Sequence, residues 1–338
     1  MRLLVTGGAG FIGSNFARYA LERWPECSVI VLDALTYAGN RENLADVAAE
    51  PRFTFIHGNI CDPNAVTEAM RGCTHVLNFA AETHVDRSIL DGGVAVRTNI
   101  EGTRVLLEAA RELGVERYLQ VSTDEVYGEI ETPGRSPEDA PLRPRSPYSA
   151  AKAGADLLVG AYNSTYELPT LITRGSNTYG PYQYPEKLFP LFITNALDAL
   201  PLPVYGDGQQ MRDWLFVEDH CAAIATVLEL GAPGEVYNVG LGIERPNAVV
   251  IERILELTGA DSALIRHVPD RPGHDRRYAL DLARIHALGW RPQVSFARGT
   301  QFSVHWYREH RAWWERIKGA EYRDYYDRQY AERLAAQP

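Results

Sequence analysis

The chain of 338 residues predicts a doubly wound α/β fold, a parallel sheet with helices on both faces, joined to a smaller mixed α/β lobe. Three observations carry that expectation. Short apolar runs alternate with amphipathic stretches through the first half. A glycine-rich turn, "LLVTGGAGFIGSN", stands between the first run and the first amphipathic stretch. The rhythm then breaks: 179–213 is rich in Pro, Gly and Tyr, and 242–317 mixes helical patterns with loops.

In chain order, the apolar runs at 3–6, 28–33, 53–57, 75–79, 117–121, 169–174 and 235–240 read as strands. The stretches at 12–24, 64–70, 94–113, 148–166 and 217–230 read as amphipathic helices between or after them. Strands alternating with helices imply βαβ units, hence a parallel sheet. The sheet domain is expected over 1–178 plus 214–241, and the lobe over 179–213 plus 242–318. The tail 319–338, "GAEYRDYYDRQYAERLAAQP", reads as a loosely attached polar helix to which no function is assigned.

A hydrophobic content of 45% and a charged content of 23% are those of a globular protein. The formal net charge of −10 argues against nucleic acid or an anionic membrane as the main partner. Cys27, Cys61, Cys73 and Cys221 form no CxxC pair and have no His-rich companion spacing, so free thiols in a reducing cytoplasm are expected, with no disulfide frame and no metal site. A strand starting at Arg2 leaves no room for a leader peptide, and no apolar run approaches the roughly 20 residues of a membrane span. Of 34 basic residues only Lys152, Lys187 and Lys318 are lysines. A chain that writes arginine by default has a reason to write lysine where it does.

Gly7, Gly10 and Gly13 sit at a strand-to-helix turn. Glycine allows the tight turn and lets backbone approach a pyrophosphate, and the following helix offers it unpaired N–H groups. Asp33 ends the next strand 20 residues after Gly13, placed to accept from the adenosine ribose hydroxyls and repel a 2′-phosphate. The expected cofactor is NAD, bound to a Rossmann-type sheet. In "SPYSAAKAGAD", Tyr148 and Lys152 are four apart and share one helix face. An ammonium near a phenol lowers its pKa and makes it a usable base, and the pair marks hydride transfer at a carbinol.

The spacing G-x-x-G-x-x-G resembles the extended short-chain dehydrogenase/reductase family. Within it, "STDEVYG" resembles the dTDP-glucose 4,6-dehydratases, as do "DALTYAGN", "FAAETHVDRSI", "YGPYQYPEKLFP", "LPVYGDG" and "DRPGHDRRYA". Adjacent carboxylates at the end of a buried strand are costly to a fold. They suit an elimination, which needs two carboxyl groups in different protonation states. Neighbouring side chains of a regular strand face opposite ways, so the chain is expected to leave β geometry near Thr123.

The resemblance implies a substrate, dTDP-glucose, and a set of roles. Asp124 is the acid at the C6 hydroxyl, Glu125 the base at C5, Tyr148 the base at the C4 hydroxyl, and Thr123 a hydrogen-bond partner of the C4 oxygen. Lys152 also binds the nicotinamide ribose. Cofactor contacts are implied at Phe11, Ile12, Asp33, Leu35, Thr36, Asn59, Ile60, Ala80, Ala81, Thr98 and Thr178. Substrate contacts are implied at Thr83, Asn177, Lys187, Leu188, Pro203, Tyr205, Arg212, Asn247, Arg271 and His274. Two positions depart from the family pattern: Asn59 replaces an Asp at the adenine edge but still offers an acceptor, and Thr178 replaces an amide near the nicotinamide. A homodimer through 94–113 and 148–166 is implied as well. A nucleotide-sugar 4-epimerase and a non-catalytic NAD-sensing protein of the same fold are the competing readings. An epimerase has no use for Asp124 and Glu125, and a sensor has none for Tyr148 and Lys152 beside them.

Overall fold

Strands buried on both faces must be covered by helices on both sides, and that demand sets the architecture. The computed structural model describes residues 1–335; the last residues of the tail, 336–338, lie outside the described residues. In chain order the strands are β1 (Arg2–Thr6), β2 (Ser28–Asp33), β3 (Phe53–His57), β4 (His75–Asn78), β5 (Arg117–Thr123) and β6 (Thr170–Gly175). They continue with β7 (Asn177–Tyr179), β8 (Leu202–Tyr205), β9 (Met211–Phe216), β10 (Val236–Val239), β11 (Glu244–Pro246) and β12 (Ile265–Val268). The helices begin with α1 (Phe11–Arg23), α2 (Pro63–Met70), α3 (Val85–Leu90), α4 (Gly92–Ala95), α5 (Thr103–Leu113), α6 (Pro147–Tyr166) and α7 (Leu188–Leu197). After them come α8 (Val217–Leu230), α9 (Asn247–Thr258), α10 (Ala283–Ala287), α11 (Phe296–Glu309), α12 (Arg311–Ile317) and α13 (Ala320–Ala335).

The main sheet has the order β10-β6-β5-β4-β1-β2-β3, and every pairing in it is parallel. Winding reverses between β1 and β4, which opens a crevice at the carboxyl ends of the strands. One face is covered by α1 and α8 over a core containing Leu3, Val5, Phe16, Val31 and Leu119. The other carries α2, α5 and α6 over Leu4, Leu32, Val76 and Tyr118. This is the doubly wound fold the alternation predicts.

The expected single helix over 94–113 is interrupted. A π-turn at Val96–Gly102 separates α4 from α5. The wider turn aims Asn99 at the segment after β4, where its side chain accepts from the Glu82 amide (2.9 Å) and donates to the Glu82 carbonyl (3.1 Å).

The lobe consists of the β11-β9-β7 sheet, the β12-β8 pair, and α7, α9, α11 and α12, around Tyr179, Phe189, Trp214, Trp306 and Trp314. The tail does not hang loosely. As α13 it buries Tyr322, Tyr325 and Tyr330, and Lys318 just before it donates to Asn195 Oδ1 at 2.9 Å. Tyrosine makes this possible because its ring is buried while its hydroxyl finds a polar partner. Among the described residues no helix is long and apolar enough to cross a membrane.

Candidate active site

Two clefts meet at the carboxyl end of β5. The strand stops where Thr123 caps a 3₁₀ turn, Asp124–Tyr127, by accepting from the Glu125 amide (3.3 Å). Alternation ends there, and the two carboxylates leave the strand pattern together. Glu125 lines both clefts. Asp124 lies buried behind the surface of both, with Oδ1 facing the Thr123 hydroxyl (3.3 Å) and Oδ2 without a partner.

Helix α6 delivers the next pair. Ser146 and Ser149 form a capping box, with Pro147 in the first turn, so the helix starts at a defined residue. The Tyr148 amide donates to Ser88 Oγ (3.1 Å), and one turn later Lys152 Nζ donates to the Val121 carbonyl (2.7 Å). Both side chains line the cleft that Thr123 and Glu125 share.

The same cleft runs over the glycine turn. Gly7 has φ +67°, and a Cβ on it would lie 2.6 Å from the Ala80 nitrogen; one on Gly13 would lie 2.4 Å from the Gly7 carbonyl. Only bare backbone fits this cradle. Gly10, Phe11, Ile12, Asp33, Thr36, Asn59, Ile60, Ala80, Ala81, Thr98 and Thr178 also line it. Asp33 Oδ2 accepts from the Ala9 amide (2.9 Å) and Oδ1 from the Leu35 amide (2.7 Å). A dinucleotide fits these residues: bare glycine backbone below the phosphates, a buried carboxylate at the end of β2.

Two expectations change here. Leu35 is not in the cleft lining; at φ +50° its amide turns to Asp33, and its side chain packs on the core. Asn59 Oδ1 accepts from the Cys61 amide at 2.8 Å, which fixes the side chain and leaves the oxygen's second lone pair and the amide N–H groups to a ligand. The phenol of Tyr148 is not lowered either: burial and the charges of Glu125 and Asp124 push it up, outweighing a hydrogen bond from Thr123. Lys152, brought down to about 8 by burial, gives one of its N–H donors to the Val121 carbonyl. Thr178 takes its own course, with Oγ1 2.8 Å from His220 Nδ1.

The second cleft is lined by Asn177, Lys187, Leu188, Pro203, Tyr205, Arg212, Asn247, Arg271 and His274. Thr83 lines the first, and its carbonyl accepts from Lys187 Nζ at 2.6 Å. Arg271 donates to Asp86 (3.0 Å) and Arg212 to the Asp275 carbonyl (2.7 Å). Buried polar atoms remain without partners at Asn177 Oδ1, Asn247 Oδ1 and Arg271 Nε. Lys187, Arg212 and Arg271, balanced in the lining by Asp86, Glu125 and Glu186, stand beside these unmatched polar atoms and suit a ligand that carries both anionic and hydrogen-bonding groups.

The electrostatics separate the two carboxyl groups. Burial, the charge of Glu125 and then that of Asp213 raise Asp124 to about 8, against the pull of Arg212. Glu125 is also raised by burial, but Arg271, Lys187 and Arg212 oppose it. At neutral pH the site therefore favours a protonated Asp124 beside a more readily ionised Glu125.

Sequence reasoning overlooked Asp86, Glu186, Tyr330 and the aromatic shell around them. Asp86 and Glu186 lie inside quoted motifs, but nothing local marks them. Asp86 meets Arg271 across 185 residues, and Glu186 meets Arg87 (2.8 Å) across 99. The tyrosines of α13 did carry a signal, a spacing that puts Tyr322, Tyr325, Tyr326 and Tyr330 on one face, with Gln329 among them.

Comparison with known proteins agrees with this geometry. Residues 4–302 match the family described as GDP-mannose 4,6 dehydratase. A dTDP-glucose 4,6-dehydratase of Streptomyces niveus is 52% identical over 94% of this chain and 96% of its own length. The low-salt glycan biosynthesis protein Agl12 of Haloferax volcanii is 53% identical over 91% and 98%. A solved structure of DesIV, a dTDP-glucose 4,6-dehydratase from Streptomyces venezuelae with NAD and dTDP bound, superposes with a TM-score of 0.92 at 53% identity, covering 94% of this chain and all of that one.

Proposed function

We infer the activity from the family to which this chain belongs, the GDP-mannose 4,6 dehydratases among the extended short-chain dehydrogenases: it converts dTDP-glucose to dTDP-4-keto-6-deoxyglucose and water, with NAD as cofactor. A product with C4 oxidised to a ketone and C6 reduced to a methyl group, and no net oxidation, requires hydrogen to be borrowed from one sugar carbon and returned to the other. Held by the glycine turn, Asp33 and Lys152, NAD would supply hydride chemistry, a ring able to take hydrogen with its electron pair from C4 and to return it at C6.

The residue roles are our proposal. Tyr148 Oη takes the C4 hydroxyl proton once it has lost its own, with Thr123 Oγ1 bonded to the same oxygen. Burial and the charges of Glu125 and Asp124 oppose that ionisation, and the positive ring of bound NAD would favour it. The C4 ketone acidifies C5–H, and a Glu125 carboxylate oxygen removes that proton. Asp124 gives its proton to the C6 hydroxyl, which leaves as water. Glu125 then returns its proton to C5. Arg212 and Arg271 hold the pyrophosphate with paired N–H groups, and Tyr205 and Pro203 meet the base. The observation that carries this reading is the Asp124–Glu125 pair: both carboxyls are raised by burial, Asp124 to about 8, while Arg271, Lys187 and Arg212 oppose the rise at Glu125 and, of these, Arg212 at Asp124.

Substrate deuterated at C4 is expected to give product deuterated at C6, read by NMR of the isolated dTDP-4-keto-6-deoxyglucose. Label lost to water or retained at C4 would exclude the internal return, and with it the dehydratase reading. The epimerase alternative predicts retention at C4.

We also propose a homodimer in a cytoplasmic setting. Leu90 and Val96, near the two ends of α4, and Leu157 on α6 are 66%, 50% and 66% exposed, a costly apolar surface for a single copy. A second copy laid on the same helices covers it. Sedimentation equilibrium should return about twice the chain mass of 37.7 kDa, and a monomer at micromolar concentration would count against the pairing.

A further inference from the structure

Helix α13 does more than close the chain. Its tyrosine face lies against the nucleotide end of the second cleft, and Tyr330 is part of that cleft's lining. One residue earlier, the buried Gln329 amide donates from Nε2 to Asp86 Oδ2 (3.0 Å) and to the Tyr205 hydroxyl (2.7 Å). The Tyr205 hydroxyl donates in turn to Asp86 Oδ2 (2.9 Å), while Asp86 Oδ1 accepts from Arg271 (3.0 Å). Both oxygens of one buried carboxylate are thus engaged, and its rotamer is locked from α13. The ring of Tyr205 is held in place as well, 6.1 Å from Tyr330 on one side and 6.0 Å from His274 on another.

Tyr205 and Arg271 are the groups that face the ligand, and neither belongs to α13. We propose that α13 forms a wall of the substrate site and that Gln329 and Tyr330 are positioning residues for the nucleoside diphosphate half, acting through Tyr205 and Arg271. The inference rests on the reading of this cleft as the dTDP-glucose site. Nucleotide contacts lie away from C4, C5 and C6, so they are the same in the ground state and the transition state. Loosening them weakens binding without slowing chemistry.

The test is Gln329→Leu, close in size but without the amide, with Tyr330→Leu as a second variant. Steady-state kinetics with dTDP-glucose, calorimetric titration with dTDP, and the NAD content of the purified protein are measured for each. For both variants, KM and the dTDP dissociation constant are expected to rise by about tenfold, with kcat within about twofold and NAD content unchanged. A purely structural helix would instead lower thermal stability, NAD content and kcat together. That outcome, or an unchanged KM in a folded Gln329→Leu variant, overturns the proposal. If the unaltered protein fails to bind dTDP at all, the substrate reading falls first, and the two failures are told apart.

Discussion

Replacing Glu125 with glutamine is expected to lower turnover by about 10²–10⁴-fold, the range for losing a positioned acid–base group. The reason is positional. Glu125 lines both clefts, so its carboxylate stands where a sugar held between the cofactor turn and the arginines has to pass. Glutamine keeps the size and one acceptor but cannot take a proton. In the roles proposed above, oxidation at C4 needs Tyr148 and the cofactor, not Glu125. The variant should therefore reduce its bound NAD on meeting dTDP-glucose and stall before water is lost. Near-ultraviolet absorbance of the reduced nicotinamide follows the first event, and exchange of C5–H with heavy water reports the second. Reduced cofactor without C5 exchange is the expected pattern, and full turnover would remove Glu125 from the reaction.

Asp124→Asn is expected to cost a similar factor but to leave a different trace. Burial and the neighbouring charge of Glu125 hold the Asp124 carboxyl at about 8, so it carries its proton at neutral pH and has one to give. The sign follows directly: raising pH through about 8 removes that proton, and the rate of the unaltered protein should fall roughly tenfold per unit above it. Asparagine has no proton to give and does not titrate. In the variant the alkaline limb owed to Asp124 disappears, C5 exchange catalysed by Glu125 survives, and water loss becomes the slow event. A limb near pH 8 that persists in Asp124→Asn would belong to another group, Lys152 being the other site residue at about 8.

How much of this was legible in the sequence depended on distance along the chain. The strand–turn–helix at Gly7 to Gly13 could be read directly, because its chemistry and its geometry occupy the same short stretch. The same holds for Tyr148 and Lys152 on one helix face, and for the end of β5, where two adjacent acids force the chain out of alternation. Asn59 shows where even a local reading stops: its Oδ1 turns to the Cys61 amide two residues on, a turn that composition does not announce.

What the sequence determined by itself is the fold class, the cofactor cradle and the acid pair, since each follows from side-chain period or backbone freedom within a few residues. Tertiary structure alone decided the electrostatics of the pair, because burial and the convergence of Arg212, Arg271 and Lys187 come from segments far apart in the chain. It also decided where the tail goes. A polar, tyrosine-rich helix becomes a wall only once Asp86, Tyr205 and the lobe's aromatic cluster give its hydroxyls and its one buried amide something to bind.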